Sequence, residues 1–199
     1  MTLRLLGELA VLAMSLSSAR ATLLYSNCGT GCTTFSGTPL GAQGNGGYAM
    51  PFVPILSGPV VDVELPLIAT SSTDTFKIVI ARSNASVPGS ALETLFITGV
   101  PTSAAVITVN SIAHPILNSG TTYWLELLAN GSSPVGWFET SPPVTGPVQD
   151  VFTSNGGQTW QALGSTLLAF AVETPEPSSL VLILSGIATA AVLRRVKRT

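Results

Sequence analysis

Apolar and polar positions alternate in short runs along the middle of the chain. Val61, Val63 and Leu65 alternate with Asp62 and Glu64, and Phe76, Ile78 and Ile80 alternate with Lys77 and Val79. A period of two residues predicts half-buried β-strands. Residues 105–109 form a short, apolar, mostly β-branched run. Residues 121–128 put Tyr123, Leu125 and Leu127 on one strand face and Trp124, Glu126 and Leu128 on the other. One of Tyr123 and Trp124 must therefore face outward unless both faces of the sheet are covered. Residues 135–140 and 163–172 complete the predicted strands. Turn residues punctuate them at Pro88-Gly89, Asn118-Ser119-Gly120, Asn130-Gly131 and Asn155-Gly156-Gly157. No helical period and no internal repeat interrupts this body. Many short strands predict an all-β fold, an antiparallel β-sandwich or jelly-roll-like domain over residues 22–173. The Gly-rich stretch 37–47 reads as a long loop. Residues 174–177 read as an extended linker, because Pro175 and Pro177 forbid a regular helix.

The two ends break the alternating pattern. Arg4 opens a short positive region, residues 5–16 are apolar apart from Glu8, and Ala19-Arg20-Ala21 is a small-x-small cleavage site. Residues 1–21 thus read as a secretory signal helix, with Ala19 and Ala21 flanking the scissile region and Thr22 as the mature start. At the other end, Pro175-Glu176-Pro177 precedes 16 uncharged residues, 178–193, and then Arg194, Arg195, Lys197 and Arg198. A helix of that length reaches roughly 24 Å. This is short of the roughly 30 Å hydrocarbon core, so the predicted transmembrane helix is a marginal span relying on thinning or snorkelling flanks. The basic cluster acts as a stop-transfer signal and places that end in the cytoplasm, with the body outside.

The order of the tripeptide, the apolar run and the basic cluster in residues 174–199 resembles the PEP-CTERM sorting signal of exported bacterial proteins. That resemblance implies processing by an exosortase near Pro175, Glu176 and Pro177, an export translocon as an earlier partner, and an inner-membrane anchor held until processing. A second resemblance covers roughly residues 45–172. Phe76-Lys77-Ile78-Val79-Ile80, Val87-Pro88-Gly89-Ser90-Ala91-Leu92-Glu93, Gly120-Thr121-Thr122-Tyr123-Trp124-Leu125, Gly136-Trp137-Phe138, Gly156-Gly157-Gln158-Thr159-Trp160 and Phe170-Ala171-Val172 are similar to a choice-of-anchor module. It implies a β-sandwich and carries over no catalytic residue, since its motifs are packing and turn residues. The Cys28–Cys32 loop falls outside it.

Removing both ends changes the charge. Six of the eight basic residues leave with them, and the body over 22–177 keeps Lys77 and Arg82 against nine acids, a net of −7. Such a body is repelled by a phosphate backbone, which argues against nucleic-acid binding. Its neutral polar surface suits extracellular polysaccharide. In an exported chain Cys28 and Cys32 are expected to form a disulfide, with Gly29 and Gly31 allowing the tight turn. C-x-x-x-C is not the redox-active C-x-x-C spacing, and a zinc site would need two more ligands beside the single histidine, His114.

Candidate chemistry is sparse. Asp62 and Glu64 share a strand face, where a carboxylate pair serves glycoside hydrolysis or calcium binding, but a solvated face is the better reading. Glu139 is a third acid on which a secreted glycan hydrolase would have to draw. His114 lies in a loop before Pro115, and no G-x-S-x-G elbow accompanies it. Trp124, Trp137 and Trp160 are the candidates for stacking on sugar rings, and buried core indoles are the plainer alternative. The sequence thus predicts an exported, non-enzymatic β-sandwich without metal or cofactor, a surface or matrix component. A carbohydrate-binding module is the first alternative and a hydrolase the second.

Overall fold

The alternating runs become strands, and one of them is apolar on both faces. The computed structural model of the protein describes residues 21–141 and 145–175. The predicted signal helix up to Arg20, and the tail from Glu176 with its apolar run and basic cluster, lie outside the described residues. Leu23–Thr174 form one compact unit.

In chain order the strands are β1 (Thr22–Ser26), β2 (Phe35–Gly44), β3 (Gly47–Phe52), β4 (Gly58–Pro59), β5 (Asp62–Ala69), β6 (Phe76–Asn84) and β7 (Val87–Ile97). They continue with β8 (Ala105–Asn110), β9 (Ile116–Leu117), β10 (Tyr123–Ala129), β11 (Gly131–Thr140), β12 (Thr145–Thr153), β13 (Gln161–Thr166) and β14 (Ala171–Thr174). One sheet runs β1-β14-β5-β11-β2, and the other runs β13-β12-β3-β10-β6-β7. Strand β8 lies along β5 from Asp62 to Leu67. On the opposite edge of β5, β14 pairs with Asp62–Glu64 and β11 with residues 67–69, so those two strands follow one another. These pairings, and those of β10 with β3 and β6, are antiparallel.

The sheets face each other across one apolar core, a sandwich-like all-β arrangement. Val63, Leu65, Leu67, Val135, Trp137 and Val172 come from the first sheet; Met50, Phe52, Phe76, Ile78, Ile80, Leu125 and Leu127 come from the second. Phe52 and Phe170 meet edge to face at 5.5 Å, and Trp137 reaches Phe170 at 5.9 Å, so aromatic rings stitch the layers together. All seven residues of β10 are buried. Tyr123, Leu125 and Leu127 face the main core. Trp124 and Leu128 face a smaller cluster with Ala49, Val79, Ala81 and Val151, on which Trp160 packs. Both faces of this sheet are therefore covered at Tyr123 and Trp124, which resolves the parity question that the sequence poses.

Two expectations differ in detail. Residues 37–47 are not a long loop: most of them belong to β2, paired to β11 through Leu40 with Trp137 and Ala42 with Val135. Edge pairing here overrides the weak propensity of a Gly-rich segment. The run 163–172 is not one strand either. Its first part, β13, pairs with β12 in the second sheet, and its last part, β14, joins β5 in the first. Leu168, Ala169 and Phe170 make the crossing, fully buried. A single 3-10 turn, Thr30–Cys32, is the one helical element among the described residues.

Candidate functional site

Cys28 and Cys32 form a disulfide across a sequence separation of 4. Gly29 and Gly31 within the loop take φ values of 76° and 69°, which a side chain would resist. Both sulfurs belong to fully buried residues that pack with Ala169 and Ala171. Beside the loop, Asn27 clamps the crossing segment: its Nδ2 donates to Leu168 O at 2.8 Å and its Oδ1 accepts from Phe170 N at 2.8 Å. The bridge therefore braces β1 against the last strand, a structural arrangement.

Asp62, Glu64 and Glu173 come together on the outer face of the first sheet, with Glu173 directly opposite Asp62. Burial raises the Asp62 carboxyl. Burial and then the Asp62 charge raise Glu64, against a hydrogen bond from Thr108. Glu173 is pushed up to about 7 by burial and by the Asp62 and Glu64 charges. Asp62 Oδ1 and Glu64 Oε2 have no hydrogen-bond partner. The pair is thus half-buried and crowded rather than freely solvated. Among the described residues no group of three His, Cys, Asp or Glu side chains is placed to hold a metal ion. Glu139 lies elsewhere in the same sheet, opposite Ser36 and Leu168.

His114 sits near an acid and a serine in an arrangement unlike a triad. Glu93 Oε2 accepts from Ser111 Oγ at 2.6 Å, and Oε1 accepts from Ile112 N and Ala113 N at 2.6 and 2.7 Å. Ser111 Oγ in turn accepts from the His114 backbone N at 3.0 Å, while the ring Nδ1 lies 2.9 Å from Val60 O. The imidazole engages neither Ser111 nor Glu93 by hydrogen bond. Burial favours the neutral carboxyl of Glu93, but the bonds from Ser111, Ala113 and Ile112, with His114 nearby, together hold it below the ordinary range. The group works as an anionic clamp on the 111–114 turn.

The three indoles occupy different settings. Trp137 is fully buried and its Nε1 donates to Ala169 O at 2.8 Å. Trp124 is 2% exposed and donates to Ser83 Oγ at 3.2 Å. Trp160 is only partly buried, against the outer face of the second sheet. Glu126 shares that outer face, 6% exposed, and burial lifts its carboxyl to about 7 despite the Lys77 charge. Its position was legible as the polar member of an apolar strand; the turn at Gly157 lies over it, where an added Cβ would come 3.7 Å from its Oε2.

Two open concavities mark the surface. One, of about 340 Å³, is lined by Arg82, Ser83, Ala85, Thr121, Thr122 and Tyr123. The other, of about 400 Å³, is mostly apolar, between Pro39, Ile68, Pro134 and Gly136. Neither includes Asp62, Glu64, Glu139, His114 or an indole.

The feature that sequence reasoning missed is an apolar rim. Ile55 is 70%, Ile116 69% and Ile112 83% exposed, and Val53 and Leu56 are exposed beside Ile55. Hydrogen bonds tie the segments together: Ser119 Oγ donates to Ile55 O at 3.0 Å, and Val60 N to Pro115 O at 3.0 Å. The paired β4 and β9 lie between them. The signal in the sequence was an apolar pair, Ile55-Leu56, set between Pro54 and a Ser57-Gly58-Pro59 turn.

Among the described residues no helix is long and apolar enough to cross a membrane. A scan against protein-family models gives no match for this chain, and a search of curated proteins gives none either.

Proposed function

We propose that this chain is an exported, exosortase-processed protein whose β-sandwich body is a non-catalytic component of the cell surface or extracellular matrix. The observation that carries the reading is the order in residues 175–198: Pro175-Glu176-Pro177, 16 uncharged residues, then four basic ones. A charge-free run followed by a basic cluster stops translocation with the cluster inside. The body then lies on the far side of the membrane, where a disulfide persists. Two features of the body support the reading. Its last strand ends at Thr174, directly before the tripeptide, so cleavage there would leave every strand intact. Glu93 and His114 hold the 111–114 turn, and neither of the two concavities described above is lined by Asp62, Glu64, Glu139 or His114.

The test is the intact mass of the protein recovered from the envelope and medium of its native host. The expected mass begins at Thr22 and ends between residues 174 and 177, with any excess revealing a covalent attachment. A mass that still contains Arg194, Arg195, Lys197 and Arg198 in the mature protein would overturn processing and leave a tethered domain.

A further inference from the structure

We infer that the apolar rim of Val53, Ile55, Leu56, Ile112 and Ile116 is a lipid-docking face that rests on the outer surface of the membrane holding the chain's apolar tail. This rests on the anchoring reading above and adds an orientation to it. Five of the seven large hydrophobic side chains exposed among the described residues are in this set. Clustering of that kind on an otherwise polar domain marks an interaction surface.

Position argues for lipid as the occupant. Ile55 N donates to Leu24 O at 2.8 Å, so the rim begins beside β1. Val61 N donates to Glu173 O at 2.8 Å and Ser111 N to Val61 O at 2.8 Å, which ties the rim turns to the end of β14. A Cβ added at Gly58 would lie 2.7 Å from Thr174 Oγ1 and 3.6 Å from Leu24. The chain therefore leaves the body at the rim. Residues 175–177 then separate Thr174 from the apolar run. Four Cα-to-Cα steps reach at most roughly 14 Å, so the apolar run begins no farther than that from Thr174.

Charge argues the same way. Residues 53–61 and 111–123 contain no Lys, Arg, Asp or Glu, and the acids that adjoin them are Asp62 and Glu173 at the ends of β5 and β14 and the buried Glu93 beneath the 111–114 turn. An uncharged, isoleucine-rich edge enters the headgroup region by apolar burial and without anionic lipid. The exposure is also built rather than loose. The buried Glu93 carboxylate holds the backbone amides of Ile112 and Ala113, so the turn carrying the 83% exposed Ile112 is fixed.

The experiment uses the full chain reconstituted in phosphatidylcholine vesicles. Both native cysteines are in the disulfide, so Ile116→Cys can be labelled alone with a polarity-sensitive dye. Ser72→Cys, in the turn beyond the far end of β5, is the control. Docking predicts blue-shifted emission at position 116, at least threefold stronger quenching by nitroxide-labelled lipid than at position 72, and little change with salt. Ile55→Asp in the labelled chain should abolish the difference. Equal, water-like emission at both positions, in a chain that resists alkaline carbonate, overturns docking and leaves the anchor standing. A dye shielded from water but untouched by lipid quencher also overturns it, and points to a second copy on the rim. Release of the chain by carbonate overturns the anchoring reading and this inference together.

Discussion

Glu126 shows what burying one carboxyl does to a small domain. Its acid is lifted from 4.5 to about 7 because the strand is covered on both sides. The folded protein therefore holds this proton more tightly than the unfolded chain does. The contribution to stability is complete below about pH 4.5 and is lost as pH rises through about 7. Replacing Glu126→Gln should raise stability at pH 8 by ~2–3 kcal/mol and change little at pH 4.5. Urea denaturation at the two pH values measures the difference; equal effects at both would show that the side chain's charge is not the cause. Glu93 has the opposite sign. Its folded form favours the anion, so its contribution is present above the ordinary glutamate range and fades as pH falls through its lowered value. Glu93→Ala orphans the Ser111 hydroxyl and two backbone amides, and should cost roughly 3 kcal/mol at neutral pH. Hydrogen exchange at Ile112 and Ala113 should accelerate in that variant before the strands respond.

At the scale of elements, the sequence was most readable where period and packing agree. Residues 61–65, 76–80 and 121–128 have two-residue alternation or a strong apolar run, and they became β5, β6 and β10. The failures share a cause. Nothing local in Gly37-Thr38-Pro39-Leu40-Gly41 favours a strand, yet Leu40 and Gly41 pair with Trp137 and Gly136 of β11, and residues 37–39 span a register shift before pairing resumes at Ser36. The break between β13 and β14 was equally invisible, because a buried crossing and a buried strand are both apolar runs. Of the candidate site, the disulfide was legible from the close Cys28–Cys32 spacing and the glycines between them, while the settings of the three indoles were not: parity says which face a side chain takes, but not what lies over that face. The rim escaped notice because exposure is a tertiary property. The disulfide itself makes a measurable prediction. Its loop is short, so the chain-entropy model assigns it about 2 kcal/mol. Cys28→Ser with Cys32→Ser should lower stability by about that much. Amide exchange should rise first at Asn27 and along β1, and unchanged protection there would show that the Asn27 clamp suffices alone.

For the whole molecule, acidity and apolarity are divided by region. Nine acids sit in the body, and six of the eight basic residues and the longest apolar runs sit in the ends. This division leaves the body with a net negative charge that repels polyanions. The acids are also spread unequally over the fold: Asp62, Glu64 and Glu173 crowd the outer face of the first sheet, where Asp62 and Glu173 adjoin the rim.

The adjacency of β1 and β14 in one sheet bears on timing. The first strand of the body waits for the last, and β5 keeps part of one edge open until residues 171–174 arrive. Non-local pairing of this sort closes late. A chain that lacks its final segment has an unfinished layer and no clamp for Asn27, so closure of the domain waits for residues 168–174. Its architecture works as a delay that the last strand ends.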